Sequence, residues 1–193
     1  MTHILPTLQT PRLTLRAAQR DDLDALQRIW NEQLVRRYLF DDSPVDNVLA
    51  SSVLESCISV AGNGYGLWIL SARASQAVVG CASLLQAAVA AEHEPRLAGL
   101  LEPMVALEPQ YWGMGYASEA LAAVLDHAFR ALAVPTVSAV NDVPNAASER
   151  MLLRANFSPL SEVDGPRYRM RTYILSRSRW LETIGVGVPC RSS

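Results

Sequence analysis

Eight residues, Gln110-Tyr111-Trp112-Gly113-Met114-Gly115-Tyr116-Ala117, lie between a run that reads as a strand and a run with helical periodicity. No other segment narrows the possible folds as much. The strand run is Leu97–Leu107, and Ala117, Leu121, Val124, Leu125, Ala128 and Leu132 recur at helical spacing after the turn. Glycines at such a junction let the chain turn tightly and let backbone N–H groups approach a ligand closely. The first turn of a helix leaves its N–H groups without intrahelical partners and carries the positive end of the helix dipole. The junction is therefore an anion site, and a pyrophosphate is its natural occupant.

Three phosphate-binding patterns compete for this turn. A nucleotide-hydrolase loop ends in Gly-Lys-Ser/Thr, whereas Gly115 is followed by Tyr116-Ala117. A dinucleotide fingerprint places a third small residue, preferably glycine, at the position of Ser118 and an acid at the end of the next strand, where none stands. The remaining pattern, Q/R-x-x-G-x-G/A of coenzyme A-dependent acyltransferases, is met at every fixed position.

The rest of the chain predicts a mixed α/β domain spanning 1–193, with a core from about residue 10 to 177 and a loose tail over 185–193. Leu13, Leu15 and Ala17 alternate with Arg12, Thr14 and Arg16 as in a half-buried strand. Asp21 or Asp22 offers a cap for a helix carrying Leu23, Leu26, Trp30 and Leu34. Ser43-Pro44 reads as cap and first position of a second helix with Leu49, Val53, Cys57 and Val60 on one face. Tyr65–Ser71 and Gln76–Val89 read as consecutive strands, and the loop Glu92–Pro95 leads to Leu97–Leu107. After the glycine turn and its helix come a strand at Thr136–Val140, a helix from Pro144-Asn145 to about Asn156, and a last strand at Tyr168–Leu175. There is no internal repeat and no linker.

A net charge of −2 argues against a general nucleic-acid partner. The N-terminus shows no secretory pattern, and no apolar run reaches the roughly 20 residues of a spanning helix. The three cysteines, Cys57, Cys81 and Cys190, lack metal-type spacing and do not suggest a disulfide framework. Cytoplasmic location, no membrane association and a monomer or homodimer are the expectations. His3, His93 and His127 are not paired with other ligands at zinc spacing, so no metal is expected. Tyr65, Trp68, Tyr111, Trp112 and Trp180 read as packing residues.

Three motifs in order carry a family resemblance over nearly the whole chain. They are Thr10-Pro11-Arg12-Leu13-Thr14-Leu15-Arg16, the loop Gln110–Ala117, and Asn145-Ala146-Ala147-Ser148-Glu149-Arg150-Met151-Leu152-Leu153-Arg154-Ala155-Asn156-Phe157. The chain resembles the GNAT acetyltransferase superfamily, and within it the branch that includes the ribosomal-protein N-terminal acetyltransferases. Asn156 stands where the family has glycine, and asparagine is the next-best residue for a left-handed helix cap. Arg154 replaces the usual lysine. Pro103 sits within the strand expected to flank the cofactor, where a bulge or a gap in pairing would accommodate it.

The resemblance implies a central, mostly antiparallel sheet flanked by helices, with two strands splayed to hold coenzyme A, and acetyl-CoA as co-substrate with an amine acceptor. The implied cofactor residues are Val105, Ala106, Leu107, Gln110, Tyr111, Trp112, Gly113, Met114, Gly115, Tyr116, Ala117, Asn145, Ser148 and Arg154. The N–H groups around Val105–Leu107 are expected to polarise the thioester carbonyl. Asn145 and Ser148 also fit plain roles, as helix cap and first-turn residue. Acyl transfer to an amine needs a free amine, donors for the developing oxyanion and a proton for the departing thiolate. Glu102 is the candidate base, with Glu108 nearer the loop as a weaker one. Ser148 is the candidate acid, with Tyr168 and Tyr173 as alternatives. Another acyl donor such as succinyl-CoA, or a silent coenzyme A-binding sensor, remains compatible with these motifs. The acceptor is left open among a protein N-terminus, an amino acid, an antibiotic amine and a polyamine.

Overall fold

Among the described residues, eight strands form one sheet, ordered by chain position as 1-2-3-4-5-6-8-7. The computed structural model describes residues 5–87 and 89–185 of the chain. The strands are β1 (Leu8–Gln9), β2 (Leu13–Ala17), β3 (Gly66–Ala72), β4 (Val78–Gln86), β5 (Leu101–Leu107), β6 (Thr136–Asp142), β7 (Ser158–Asp164) and β8 (Arg169–Ser176). Every neighbouring pair is antiparallel except β5 and β6, which are parallel. The helices are α1 (Leu23–Asn31), α2 (Gln33–Leu39), α3 (Asn47–Ser59), α4 (Val89–His93), α5 (Tyr116–Asp126), α6 (Ala146–Arg154) and α7 (Arg177–Gly185).

Strand alternation divides the core between the two faces. Leu13, Leu15, Trp68, Leu70 and Leu107 pack with Leu121, Val124 and Leu125 of α5 and with Leu152 of α6 and Trp180 of α7. Leu67, Ile69, Cys81 and Ala106 pack instead with Leu26, Ile29 and Trp30 of α1 and Ala50, Leu54 and Cys57 of α3. No helix among the described residues is long and apolar enough to cross a membrane.

Several expected boundaries shift for identifiable reasons. The first helix breaks at Glu32 (φ −57°, ψ 121°), so Leu34 belongs to α2 and is 48% exposed. The α3 cap is Asp46, whose carboxylate accepts from Leu49 N at 2.8 Å, and Ser43-Pro44 lies before it. This start buries Ala50, Leu54 and Cys57 and turns Leu49 outward. The strand expected from Leu97 begins at Leu101, because α4 and a tight turn at Pro95–Leu97 occupy the connection. The elements not anticipated are β1, the short α4, β7 (an edge strand of mixed burial) and α7, formed by the segment between the last expected strand and the expected tail. Of the tail expected over 185–193, residues 186–193 lie outside the described residues.

Asn156 follows α6 in the left-handed region (φ 64°) and donates through Nδ2 to Thr183 Oγ1 of α7 at 2.6 Å. Asn156→Ala should lower stability by about 1–2 kcal/mol, from loss of the left-handed preference that a short polar side chain confers plus loss of one exposed hydrogen bond. Chemical denaturation would show it as a reduced midpoint at unchanged m.

Pro103 pairs in register with Leu84, with no bulge between β4 and β5. Bonds from Ala87 N to Leu100 O and from Glu108 N to Val79 O fix the phase of that ladder. Glu102, Met104 and Ala106 therefore spend their backbone groups on β4, and Leu101, Pro103, Val105 and Leu107 turn theirs toward β6. On that side β5 and β6 meet in register only at Leu101↔Val137. The next rung would need a donor from Pro103, which has none. The gap expected at Pro103 thus exists, on the β6 side alone, and the two strands part beyond it.

Candidate functional site

The glycine loop sits where β5 ends beside this parting. Gly113 (φ 74°) and Gly115 (φ 80°) are both left-handed, and Gly115 is the residue before α5 with no side-chain cap. The first helical bond runs from Glu119 N to Gly115 O at 3.1 Å, so the N–H groups of Tyr116, Ala117 and Ser118 have no helical acceptor. Among the described residues, Gly113, Met114 and Gly115 also donate to no backbone carbonyl. A Cβ built on Gly113 would meet nothing within 4 Å, so the space over the loop is open. Uncapped N–H groups around an open concavity fit a pyrophosphate without any cation.

Trp112 does not pack in the core. It is 46% exposed, and its indole N–H donates to Leu107 O at 2.8 Å, fastening the loop to the end of β5. Of the three residues expected to present N–H groups, Val105 and Leu107 aim theirs into the parting, while Ala106 uses its own on Cys81 of β4. Gln110 is exposed and donates to Glu108 Oε2 at 2.8 Å, and Arg28 reaches the other Glu108 oxygen at 2.9 Å. Glu108 is thus committed to two donors.

Glu102 is different. It shares strand parity with Met104 and Ala106 and so projects on the α1–α3 face. Among the described residues no donor reaches its carboxyl, which burial pushes up to about 7. The same broad face carries Asp142, which closes β6 two residues beyond the strand end expected at Val140, so an acid does stand where the sequence reading placed none. It is 9% exposed, and its carboxyl is raised to about 6 by burial and then by the charge of Asp41, with Arg167 opposing. The segment after α2 is held over this region by Arg167 to Asp42 at 2.9 Å and by the Tyr38 and Tyr168 rings, centroids 6.0 Å apart.

Asn145 caps α6, its Oδ1 accepting from Ser148 N at 3.2 Å, so the plain reading of this residue holds. Its Nδ2 and the Ser148 hydroxyl make no side-chain hydrogen bond among the described residues. Asn141, 5% exposed, donates to Asp142 O at 2.9 Å, while its Oδ1 is buried without a partner. An orphaned acceptor beside the α6 start is a second feature that a polar ligand would satisfy. Arg154 is exposed at the opposite end of α6, roughly 12 Å along the axis from its start, and does not join this cluster. Tyr173 is fully buried with its hydroxyl 3.3 Å from Glu149 Oε1, and Tyr168 stacks near Tyr38.

Burial pushes the Cys57 thiol up to about 11 and the Cys81 thiol up to about 12, so neither supplies a thiolate nucleophile at neutral pH. Among the described residues no group of three or more His, Cys, Asp or Glu is placed to hold a metal ion.

Comparison with known proteins bears on the family and the fold. An uncharacterized N-acetyltransferase of Bacillus subtilis, YoaA, is 26% identical over 155 residues, covering 80% of this chain and 84% of the relative. A GnaT-family acetyltransferase structure from Bordetella pertussis superposes with TM-score 0.76 at 22% identity, covering 89% of this chain and 99% of the other. RimL, a ribosomal-protein alpha-N-acetyltransferase solved with coenzyme A, superposes with TM-score 0.73 at 16% identity, covering 90% and 99%. The model of the acetyltransferase (GNAT) domain matches residues 12–158, and the chain belongs to that family.

Proposed function

We propose that the protein transfers an acetyl group from acetyl-CoA to a primary amine, either a protein N-terminal α-amine or a small-molecule amine, by direct attack in a ternary complex. The observation that carries this reading is the pairing of an uncapped, open glycine loop on one side of the parted strands with an unpartnered Glu102 on the other. The coenzyme A solved in RimL supports the choice of cofactor.

The loop N–H groups from Gly113 to Ser118 would hold the pyrophosphate, and Asn145 Nδ2 and Asn141 Oδ1 would take polar groups of the pantetheine arm. Acetyl-CoA supplies an activated acyl group as a thioester. Val105 and Leu107 direct N–H groups into the parting, where a developing oxyanion gains from fixed donors. Glu102 and Asp142 make the acceptor side acidic and attract an ammonium. Glu102 Oε would accept the proton that frees the amine, directly or through one water, and the Ser148 hydroxyl would protonate the departing sulfur. Orienting both reactants contributes on the order of 7–11 kcal/mol, and no acylated protein side chain is needed.

Titration calorimetry with CoA, NAD and ATP, followed by turnover of acetyl-CoA against a panel of amines, tests the reading. Micromolar binding of CoA, poor binding of the other two and turnover with at least one amine are expected. A preference for the dinucleotide, or CoA binding with no turnover on any amine, would overturn it.

A further inference from the structure

The Thr10-Pro11-Arg12 segment leads into β2, yet Thr10 Oγ1, Arg12 N and the Arg12 guanidinium donate to Glu119 and to Met114 O, more than 100 residues away. Glu119, in the first turn of α5, collects three of them. Its Oε1 accepts from Thr10 Oγ1 at 2.6 Å and from Arg12 N at 2.8 Å, and its Oε2 accepts from Arg12 Nε at 2.6 Å. Burial alone would raise this carboxyl, but the three donors together hold it below the ordinary glutamate range. The Arg12 guanidinium then reaches the loop itself, donating from Nη1 to Met114 O at 2.8 Å and lying over the Tyr116 ring, 4.8 Å from its centroid.

One nitrogen remains. Nη2 has no acceptor among the described residues and sits 3.2 Å from where a Cβ on Gly115 would stand. The Arg12 side chain is 49% exposed, so Nη2 faces open space beside the left-handed glycine whose following N–H groups are uncapped. A guanidinium has five N–H donors in a rigid fork, and with two directions fixed by Glu119 and Met114 O the third is fixed as well. A surface ion pair with one carboxylate would not need the Met114 contact, nor would it leave a donor aimed beside the loop.

We propose that Arg12 is part of the phosphate cradle, bracing the loop through Nε and Nη1 and presenting Nη2 to a phosphate of the cofactor. This rests on the acyl-CoA reading above. Holding the Met114 carbonyl toward Arg12 turns the adjoining Gly115 N–H the other way, since the C=O and N–H of one trans peptide lie in its plane and point in opposite directions. The same side chain thus sets the orientation of a loop amide and adds to the loop's backbone donors a guanidinium N–H whose charge Glu119 balances. It also gives Glu119 its place: without that carboxylate the guanidinium has no anchor on α5.

The test compares wild type, Arg12→Gln and Arg12→Lys for binding of CoA and of S-acetylpantetheine, which shares the arm but carries no phosphate. Calorimetry and thermal melts are run on the same samples. Arg12→Gln is expected to bind CoA roughly 10- to 100-fold more weakly, the scale of one charged hydrogen bond. Its affinity for S-acetylpantetheine, read by competition, should change by less than about twofold, and Arg12→Lys should recover part of the CoA loss by restoring the charge without the fork. Equal CoA affinity in wild type and Arg12→Gln would overturn the proposal, as would equal losses for both ligands, which would mark Arg12 as a structural brace only. Should Arg12→Gln fail to fold, Arg12→Lys carries the same comparison. Failure of wild type to bind CoA at all would instead remove the acyl-CoA reading on which it rests.

Discussion

Glu102→Gln should lower kcat/KM for acetyl transfer by roughly 10²–10⁴ while leaving CoA affinity almost unchanged, the signature of a lost general base. The carboxyl stands on the α1–α3 side of β5, has no donor among the described residues and titrates at about 7. A base must be ionised to work, so wild-type kcat/KM should rise with pH through about 7. A lysine-type amine titrates near 10.4 and an α-amine at about 7.7–8.0, so both arrive largely protonated at neutral pH. The deficit of the glutamine variant should therefore shrink at alkaline pH, where free amine is available without help. A fall confined to KM would make Glu102 an electrostatic anchor for the acceptor, and wild-type kinetics would leave it an ordinary strand residue.

The same substitution has a stability signature of opposite sign. A carboxyl whose folded value of about 7 stands above its ordinary 4.5 binds its proton more tightly in the folded chain. Its contribution is present in full below pH 4.5, declines as pH rises, and is lost above about 7, where the ionised group is buried without a partner. A glutamine at this position would carry no such decline, so Glu102→Gln should be more stable than wild type at pH 8 by about 1–3 kcal/mol and gain little at pH 5. Urea melts at the two pH values separate this from simple damage to the strand, which would destabilise at both. A buried residue that weakens the fold where it is ionised fits a group kept for chemistry.

What could be read from the sequence followed the range of the forces involved. The glycine loop was legible because its determinants are local: two left-handed positions and an uncapped helix start within a few residues. The Asn156 cap was legible for the same reason. The α3 start was misread because Ser43-Pro44 and Asp46 are both valid starts, and packing of Ala50, Leu54 and Cys57 decides between them. β7 escaped because an edge strand with polar residues on both faces has no hydrophobic alternation, and its identity comes from pairing with β8.

The site was legible in part. Pro103 signalled disturbed pairing, but which side would open depends on the phase of the β4 ladder, which is set by its partners. Ala106 was grouped with Val105 and Leu107 by adjacency, whereas the ladder gives alternate residues opposite roles. Arg12 and Glu119 meet across more than 100 residues, so nothing local in either segment announces the contact. The resemblance brought the opening motif into view without saying what Thr10 and Arg12 hold. Asn141 and Asp142 lie just past the strand expected at Thr136–Val140, and only their burial, with Asn141 Oδ1 left unpartnered, distinguishes them.

Gly115→Val should abolish measurable CoA binding, a loss of roughly 100-fold or more, while the fold survives. Gly115 is held at φ 80°, which a β-branched residue adopts only with strain of about 1–3 kcal/mol. The new Cβ would also stand 3.2 Å from Arg12 Nη2, so the guanidinium must give by a few tenths of an ångström against its contacts with Met114 O and Glu119. Loop geometry and its neighbouring charge are thus disturbed together, at the point where the first free N–H groups of α5 begin. Gly113→Ala is the control. Its Cβ meets nothing within 4 Å and leaves Arg12 alone, so stability should fall only by the left-handed penalty of about 1 kcal/mol. If the open space over Gly113 is where the pyrophosphate lies, CoA binding should weaken here too, but less than in Gly115→Val. Melting curves should place Gly113→Ala within about 2–4 °C of wild type and Gly115→Val lower by roughly 2–12 °C, since about 1 kcal/mol corresponds to roughly 2–4 °C in a chain of this size. Normal CoA affinity in Gly115→Val would mean that the phosphates are held elsewhere than on this loop.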